Sequence, residues 1–175
     1  SFFLMHLGDL YFYGLNVTKN YLKAKNYYEI SAYLNNSYSL NMLGNIYFEG
    51  VLGEKNYHKA KNFYILSAKL KNAAAFVNLG YLYFYGFGVR KDYLEAKYYY
   101  EVAANLNNSN ALMYLGDIYY FGLGVEQNFA KAKNFYEQSA KLNNSKSLEK
   151  IGDLYYEGKG VKSDYVEAKK YYEKA

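Results

Sequence analysis

The chain contains no cysteine, no proline and no tryptophan, and only two histidines in 175 residues. Without cysteine there is no disulfide framework, no thiolate metal site and no cysteine nucleophile. The lack of proline makes the chain helix-friendly. His6 and His58 stand 52 residues apart, and neither has a second ligand at a metal-binding spacing, so no metal or catalytic role is indicated for them. No apolar run approaches the ~18 residues that would cross a bilayer, and the opening residues do not read as a signal peptide. What is abundant is tyrosine, with 26 copies. It explains how a chain that is 51% hydrophobic keeps a mean hydropathy of -0.37, because each ring has a polar tip. Charged residues make up 21% and the net charge is +5, a balance that suits a folded protein rather than a disordered one.

A period of 36 residues organises the sequence. Leu7-Gly8, Leu43-Gly44, Leu79-Gly80 and Leu115-Gly116 repeat at that spacing, and Ile151-Gly152 is a fifth copy. Tyr11, Tyr47, Tyr83, Tyr119 and Tyr155 share one column; Gly14, Gly50, Gly86, Gly122 and Gly158 share another. Ala-Lys pairs recur from Ala24-Lys25 to Ala168-Lys169. The repeats run 1–36, 37–72, 73–108, 109–144 and 145–175, the last incomplete, in a single repeat domain.

Each copy reads as two helices. In the second, Ser37 is the expected N-cap of a helix over 37–49, with Leu40, Leu43, Ile46 and Tyr47 at spacings of three and four. Gly50 ends it, because glycine accepts the left-handed conformation past a helix terminus. A second helix is expected over 57–70, capped by Asn56; Asn20, Asp92, Asn128 and Asp164 hold the same column. No period of two survives across the columns, so strands are not expected. Glycine inside a helix costs ~1 kcal/mol relative to alanine. The column from Gly8 to Gly152 is therefore expected where a partner helix comes close, with the alanines at 24 and 32 and their equivalents opposite it. Two short helices cannot bury a core alone, so the units must stack. The expected fold is an all-α, right-handed α-solenoid of five helix pairs.

This unit resembles the Sel-one-like repeat, a relative of the tetratricopeptide repeat. The third copy carries the pattern in Ala75, Leu79, Gly80, Tyr83, Gly86, Gly88, Val89, Asp92, Ala96, Tyr99, Tyr100, Ala103 and Ala104. Two loops depart from it: Asn16 replaces the second loop glycine in the first copy, and Gly53 stands one place late in the second, so a different backbone path is expected in both. The resemblance implies an adaptor that scaffolds protein complexes. One eukaryotic member of the family is the lumenal adaptor of the membrane ubiquitin ligase of ER-associated degradation, and other members act in bacterial host interaction. On that likeness, the ER lumen or a membrane-associated complex is the expected location, with the cytoplasm as the alternative.

Other chemistry finds less support. Gly86-Phe87-Gly88 and Gly122-Leu123-Gly124 lack the preceding strand that a phosphate-binding loop needs. Lys23, Lys59 and Lys131 form a lysine column, but Glu29, Glu95, Glu101 and Glu137 share those helices, and a nucleic-acid surface needs one sign of charge. Four Asn-x-Ser/Thr sequons, at Asn16, Asn35, Asn107 and Asn143, matter only in a secretory compartment. No nucleophile, base and orienting acid stand in an arrangement that would make an enzyme, and no cofactor or small-molecule substrate is expected.

The columns that vary carry the expectation of a binding surface. Two and six places after the leucine of Leu-Gly stand Asp9 and Tyr13, Asn45 and Glu49, Tyr81 and Tyr85, Asp117 and Phe121, and Asp153 and Glu157. They are one helical turn apart and are expected to point away from the core, onto the concave face of the stack. The aromatic column Phe12, Phe48, Phe84, Tyr120 and Tyr156 is expected in the core stripe. Tyr81, Tyr85, Tyr114, Asp117 and Phe121 are the candidate partner-binding residues, gripping a peptide or a helix of another protein, with tyrosine supplying contact area and the acid fixing orientation. A purely architectural segment is the rival reading. The apolar start at Ser1-Phe2-Phe3-Leu4-Met5 and the end inside a helix suggest a piece of a longer chain that associates end to end when isolated.

Overall fold

A computed structural model describes residues 1–175 and contains ten α-helices and no strand. The helices fall into two compact units, Ser1–Arg90 and Lys91–Ala175. The first holds α1 (Phe2–Tyr13), α2 (Tyr21–Tyr33), α3 (Ser37–Glu49), α4 (Tyr57–Lys69) and α5 (Ala73–Tyr85). The second holds α6 (Tyr93–Asn105), α7 (Ser109–Phe121), α8 (Phe129–Lys141), α9 (Ser145–Glu157) and α10 (Tyr165–Lys174). Within each unit, every helix packs on the next in sequence.

Helix starts and stops follow local chemistry. The N-cap of α4 is Asn56, whose Oδ1 accepts from the backbone N–H of Lys59 at 2.9 Å; Asn128 does the same for Lys131 at 2.8 Å. The cap of α3 is Asn36 and not Ser37, since the Asn36 side chain accepts from Ser39 N–H at 2.9 Å. Asn72, Asn108 and Asn144 cap α5, α7 and α9 in the same way. The residue just before each of these caps (Asn35, Lys71, Asn107 and Asn143) has a positive φ near 60°, which asparagine tolerates better than most side chains. Three of the four sequon asparagines are thus the left-handed residues of interhelical turns. The fourth, Asn16, takes a φ of 58°, close to the 65° of Gly88 in the same column. The first loop therefore keeps its conformation despite the substitution. The second loop differs, with Gly53 at a φ of 146°.

The close approach predicted for the mid-helix glycines exists, but its partner is an aromatic ring. A Cβ added to Gly44 would overlap the ring of Tyr64, and one added to Gly116 would overlap that of Tyr136. The alanine columns are buried beside these contacts: Ala24, Ala60, Ala96 and Ala132 are fully enclosed. The seat is needed because a buried phenol lying flat on a helix leaves no room for a side chain beneath it. Buried Ser67 and Ser139 add a second tie, donating through Oγ to the carbonyl oxygens of Ser37 at 2.6 Å and Ser109 at 2.7 Å.

Candidate functional site

The varying column two places after the conserved leucine has an internal task. In four of the five repeats a tyrosine of the second helix donates its hydroxyl to it, 19 residues back: Tyr28 to Asp9 at 2.7 Å, Tyr64 to Asn45 at 3.0 Å, Tyr136 to Asp117 at 2.8 Å and Tyr172 to Asp153 at 2.9 Å. This corrects the expectation that the column faces only outward. Burial pushes the phenols of Tyr28, Tyr64 and Tyr136 up from their ordinary range; the neighbouring carboxylates of Asp9 and Asp117 add to it for Tyr28 and Tyr136. Tyr172 is pushed up to about 12, by burial and then by its bond to Asp153.

Between α3 and α5 of the first unit, the side chains that meet beside this column are uncharged. Asn78 on α5 donates through Nδ2 to Oδ1 of Asn41 at 3.0 Å and of Asn45 at 3.3 Å, both on α3. One turn further on, five rings gather: Phe48 of α3, Tyr57 of α4, Tyr81 and Tyr85 of α5, and Phe87 of the following loop. Tyr81 and Tyr85 lie 4.4 Å apart between centroids, and Phe87 stacks on Tyr57 at 5.1 Å and on Tyr85 at 5.8 Å. Tyr85 remains 44% exposed. Phe87 was not anticipated from sequence; its only signal was being the one aromatic residue between the two loop glycines.

In the second unit, the same surface is ionic. Asp117 accepts from Tyr136 and also lies 3.5 Å from the Lys150 ammonium. Tyr120 donates to Glu157 at 2.7 Å, and Lys159 reaches Glu157 at 2.9 Å and the Tyr120 hydroxyl at 2.8 Å. These bonds hold the Glu157 carboxyl below its ordinary range. Of the candidate residues here, Phe121 is 56% exposed, whereas Tyr114 stacks on Tyr100 at 4.8 Å and packs on the core around Met113 and Tyr136. A cavity of about 150 Å³ opens among Tyr120, Phe121, Tyr136, Lys150 and Asp153.

The remaining aromatic and lysine columns serve the fold. Phe48 and Tyr120 are half-buried rather than in the core; each meets the first ring of its partner helix, Tyr57 at 5.4 Å and Phe129 at 5.3 Å. Tyr156 in that column is 57% exposed. Lys23, Lys59 and Lys131 lie 5.0–5.2 Å over the rings of Tyr11, Tyr47 and Tyr119. Lys25, Lys97 and Lys133 pair with glutamates one turn on. The lysine stripe is therefore spent on tyrosine faces and ion pairs within the chain. No three His, Asp or Glu side chains converge as a metal site would require, and no helix is long and apolar enough to cross a membrane.

Comparison with known proteins places this architecture. A family model described as Sel1 repeat matches residues 3–36, 37–72, 73–108, 109–144 and 145–175. No curated protein sequence matches the chain. Among solved structures, a Sel1 repeat protein from Oxalobacter formigenes superposes with a TM-score of 0.90 at 27% identity, covering 98% of this chain and 70% of that one. A protective antigen of uropathogenic Escherichia coli strains, displaying an SLR fold, gives 0.80 at 31% identity over 98% of this chain; the chain spans only 37% of the antigen's length. An immunity protein from Pseudomonas aeruginosa shares the fold at 24% identity, with a TM-score of 0.73, 98% of this chain and 66% of that one.

Proposed function

The chain belongs to the Sel1 repeat family, and on that premise we propose that it is a non-catalytic adaptor that holds a peptide or a helix of another protein on the face formed by its first helices. Proteins built from this repeat generally mediate protein–protein interaction. The observation that carries the reading is the five-ring cluster of the first unit. Tyr85 is 44% exposed at its edge, and large rings on a packed base are what binding surfaces use for area at low entropic cost. Tyr81 and Tyr85 in the first unit, and Tyr114, Asp117 and Phe121 in the second, are the proposed contacts. Tyr114 and Asp117 have internal partners within the second unit, so their share is to shape that unit's part of the surface. A place in a ligase complex of ER-associated degradation, and with it the ER lumen, rests on the family resemblance alone.

The test is site-specific photo-crosslinking. A crosslinking residue at 85 or 121 should trap a defined protein, while one at exposed Leu94 should not. Tyr81→Ala should abolish the product at 85 while the helical spectrum is kept. Trapping that is equal at 94, or that survives Tyr81→Ala, would move the binding face elsewhere.

A further inference from the structure

We propose that the recess between α7, α8 and α9 of the second unit receives a basic side chain, Arg or Lys, of a protein partner, with Asp153 as counter-charge and Phe121 and Tyr120 as walls. This deepens the adaptor reading and rests on it. The recess has a volume of about 150 Å³, room for roughly the head group of one long side chain.

Its hydrogen-bonding inventory favours a cation. The Tyr136 hydroxyl is already given to Asp117, and the Tyr120 hydroxyl to Glu157. Lys150 is paired with Asp117, and Lys159 with Glu157. Asp153 receives only the Tyr172 hydroxyl, at 2.9 Å on Oδ1, which leaves its second oxygen as an acceptor for an incoming group. The charged side chains that line the recess are Lys150 and Asp153; Lys150 is paired with Asp117, so the charge left to meet an incoming group is that of Asp153. Tyr120 and Phe121 end α7, where the helix dipole also favours positive charge. The chain shows the same chemistry next door, with Lys159 lying 4.9 Å over the Tyr120 ring. The first unit cannot do this: Tyr81 occupies the column of Asp153, so that unit serves as a built-in control.

The experiment is an NMR titration of the whole chain with N-acetyl-arginine methylamide. Parallel titrations use the norleucine and glutamate analogues. The arginine probe should shift the amides around Phe121 and Asp153 saturably, leaving those around Tyr81 unmoved, and the other two probes should not. Asp153→Asn should weaken the response about fivefold. It should fold, because Asn45 already accepts a tyrosine hydroxyl at the same column, at 3.0 Å. Phe121→Ala should weaken the response about threefold and serves if Asp153→Asn fails to fold. An equal response to norleucine, a stronger one to glutamate, no saturable shift, or indifference to both substitutions would overturn the proposal. Arginine binding in a chain that traps no protein would sink the adaptor reading and leave the receptor standing. Trapping without any arginine response would do the reverse.

Discussion

The two units place opposite chemistry on one frame. Residues 72 apart occupy equivalent positions, and along that shift Asn45 becomes Asp117, Asn78 becomes Lys150, Tyr81 becomes Asp153, Tyr85 becomes Glu157 and Phe87 becomes Lys159. An amide pair is replaced by an ion pair, and rings that stack are replaced by a carboxylate and an ammonium that bond. The exchanges come in matched sets. A lone ammonium at position 87 would meet only rings, and a lone ring at 159 would leave Glu157 without its lysine. A partly desolvated charge is costly unless paired, so neighbouring columns change together. What stays fixed is the seat beneath: glycine, tyrosine ring and an oxygen to take the hydroxyl, whether that oxygen is amide or carboxylate.

If that seat is common to both surfaces, breaking it should hurt both alike, and this is the largest effect expected. Gly44→Leu and Gly116→Leu each drive a branched side chain into a buried ring that has no free volume to retreat into. Each should lose about 3 kcal/mol, at the upper end for overpacking. Thermal unfolding of the two variants should show similar drops in midpoint. A midpoint unchanged in either one would mean that its tyrosine swings out freely, and the common frame would fail.

A smaller effect should follow from forcing one surface's chemistry onto the other. Phe87→Lys removes stacking on Tyr57 and Tyr85 and strands an ammonium among rings, which should cost about 1–2 kcal/mol. Adding Tyr85→Glu supplies the missing partner and should return about 0.5–1 kcal/mol through coupling. Denaturant titration of the single and double variants measures that coupling. Strict additivity would show that the two columns are independent and that their joint exchange is incidental.

The period, the helix pairs, the glycine stops and the second-helix caps were legible because each rests on a local rule: apolar spacing, left-handed glycine, a side-chain oxygen at an N-cap. What stayed hidden was non-local. Nothing near Gly44 in sequence says that a ring 20 residues on will lie across it. The spacing from Asp9 to Tyr28, repeated down the chain, was present as a signal, yet a varying column reads as free surface unless its distant hydroxyl partner is sought. Asn36 and Ser37 are both good capping residues side by side, and the left-handed Asn35 before them sets which one caps α3. Of the candidate contacts, Tyr85 and Phe121 are exposed, whereas Tyr114 and Asp117 are held by Tyr100, Tyr136 and Lys150. The sequence pattern could not apportion these side chains between the surface and the core.

The smallest effect sharpens the comparison most. If the Asn45–Asn78 amide pair and the Asp117–Lys150 ion pair are interchangeable occupants of one position, transplanting the second onto the first should be nearly silent. Asn78→Lys alone places an ammonium beside neutral amides and should cost about 1 kcal/mol. Asn45→Asp alone keeps the acceptor for Tyr64 and should lie within about 0.5 kcal/mol of the parent. Together they should regain most of the loss, to within about 0.5 kcal/mol of the parent, which is what a partly exposed pair is worth. That recovery should fade as salt is raised toward ~1 M, where screening acts within about 3 Å, whereas the parent's amide pair should not respond. The measurement is a double-mutant cycle in low and high salt. A coupling of zero at low salt would mean that the amides are not a stand-in for the ions. The difference between the units would then originate one turn earlier, where Asn41 accepts from Asn78 in the first unit and Met113 holds that column in the second.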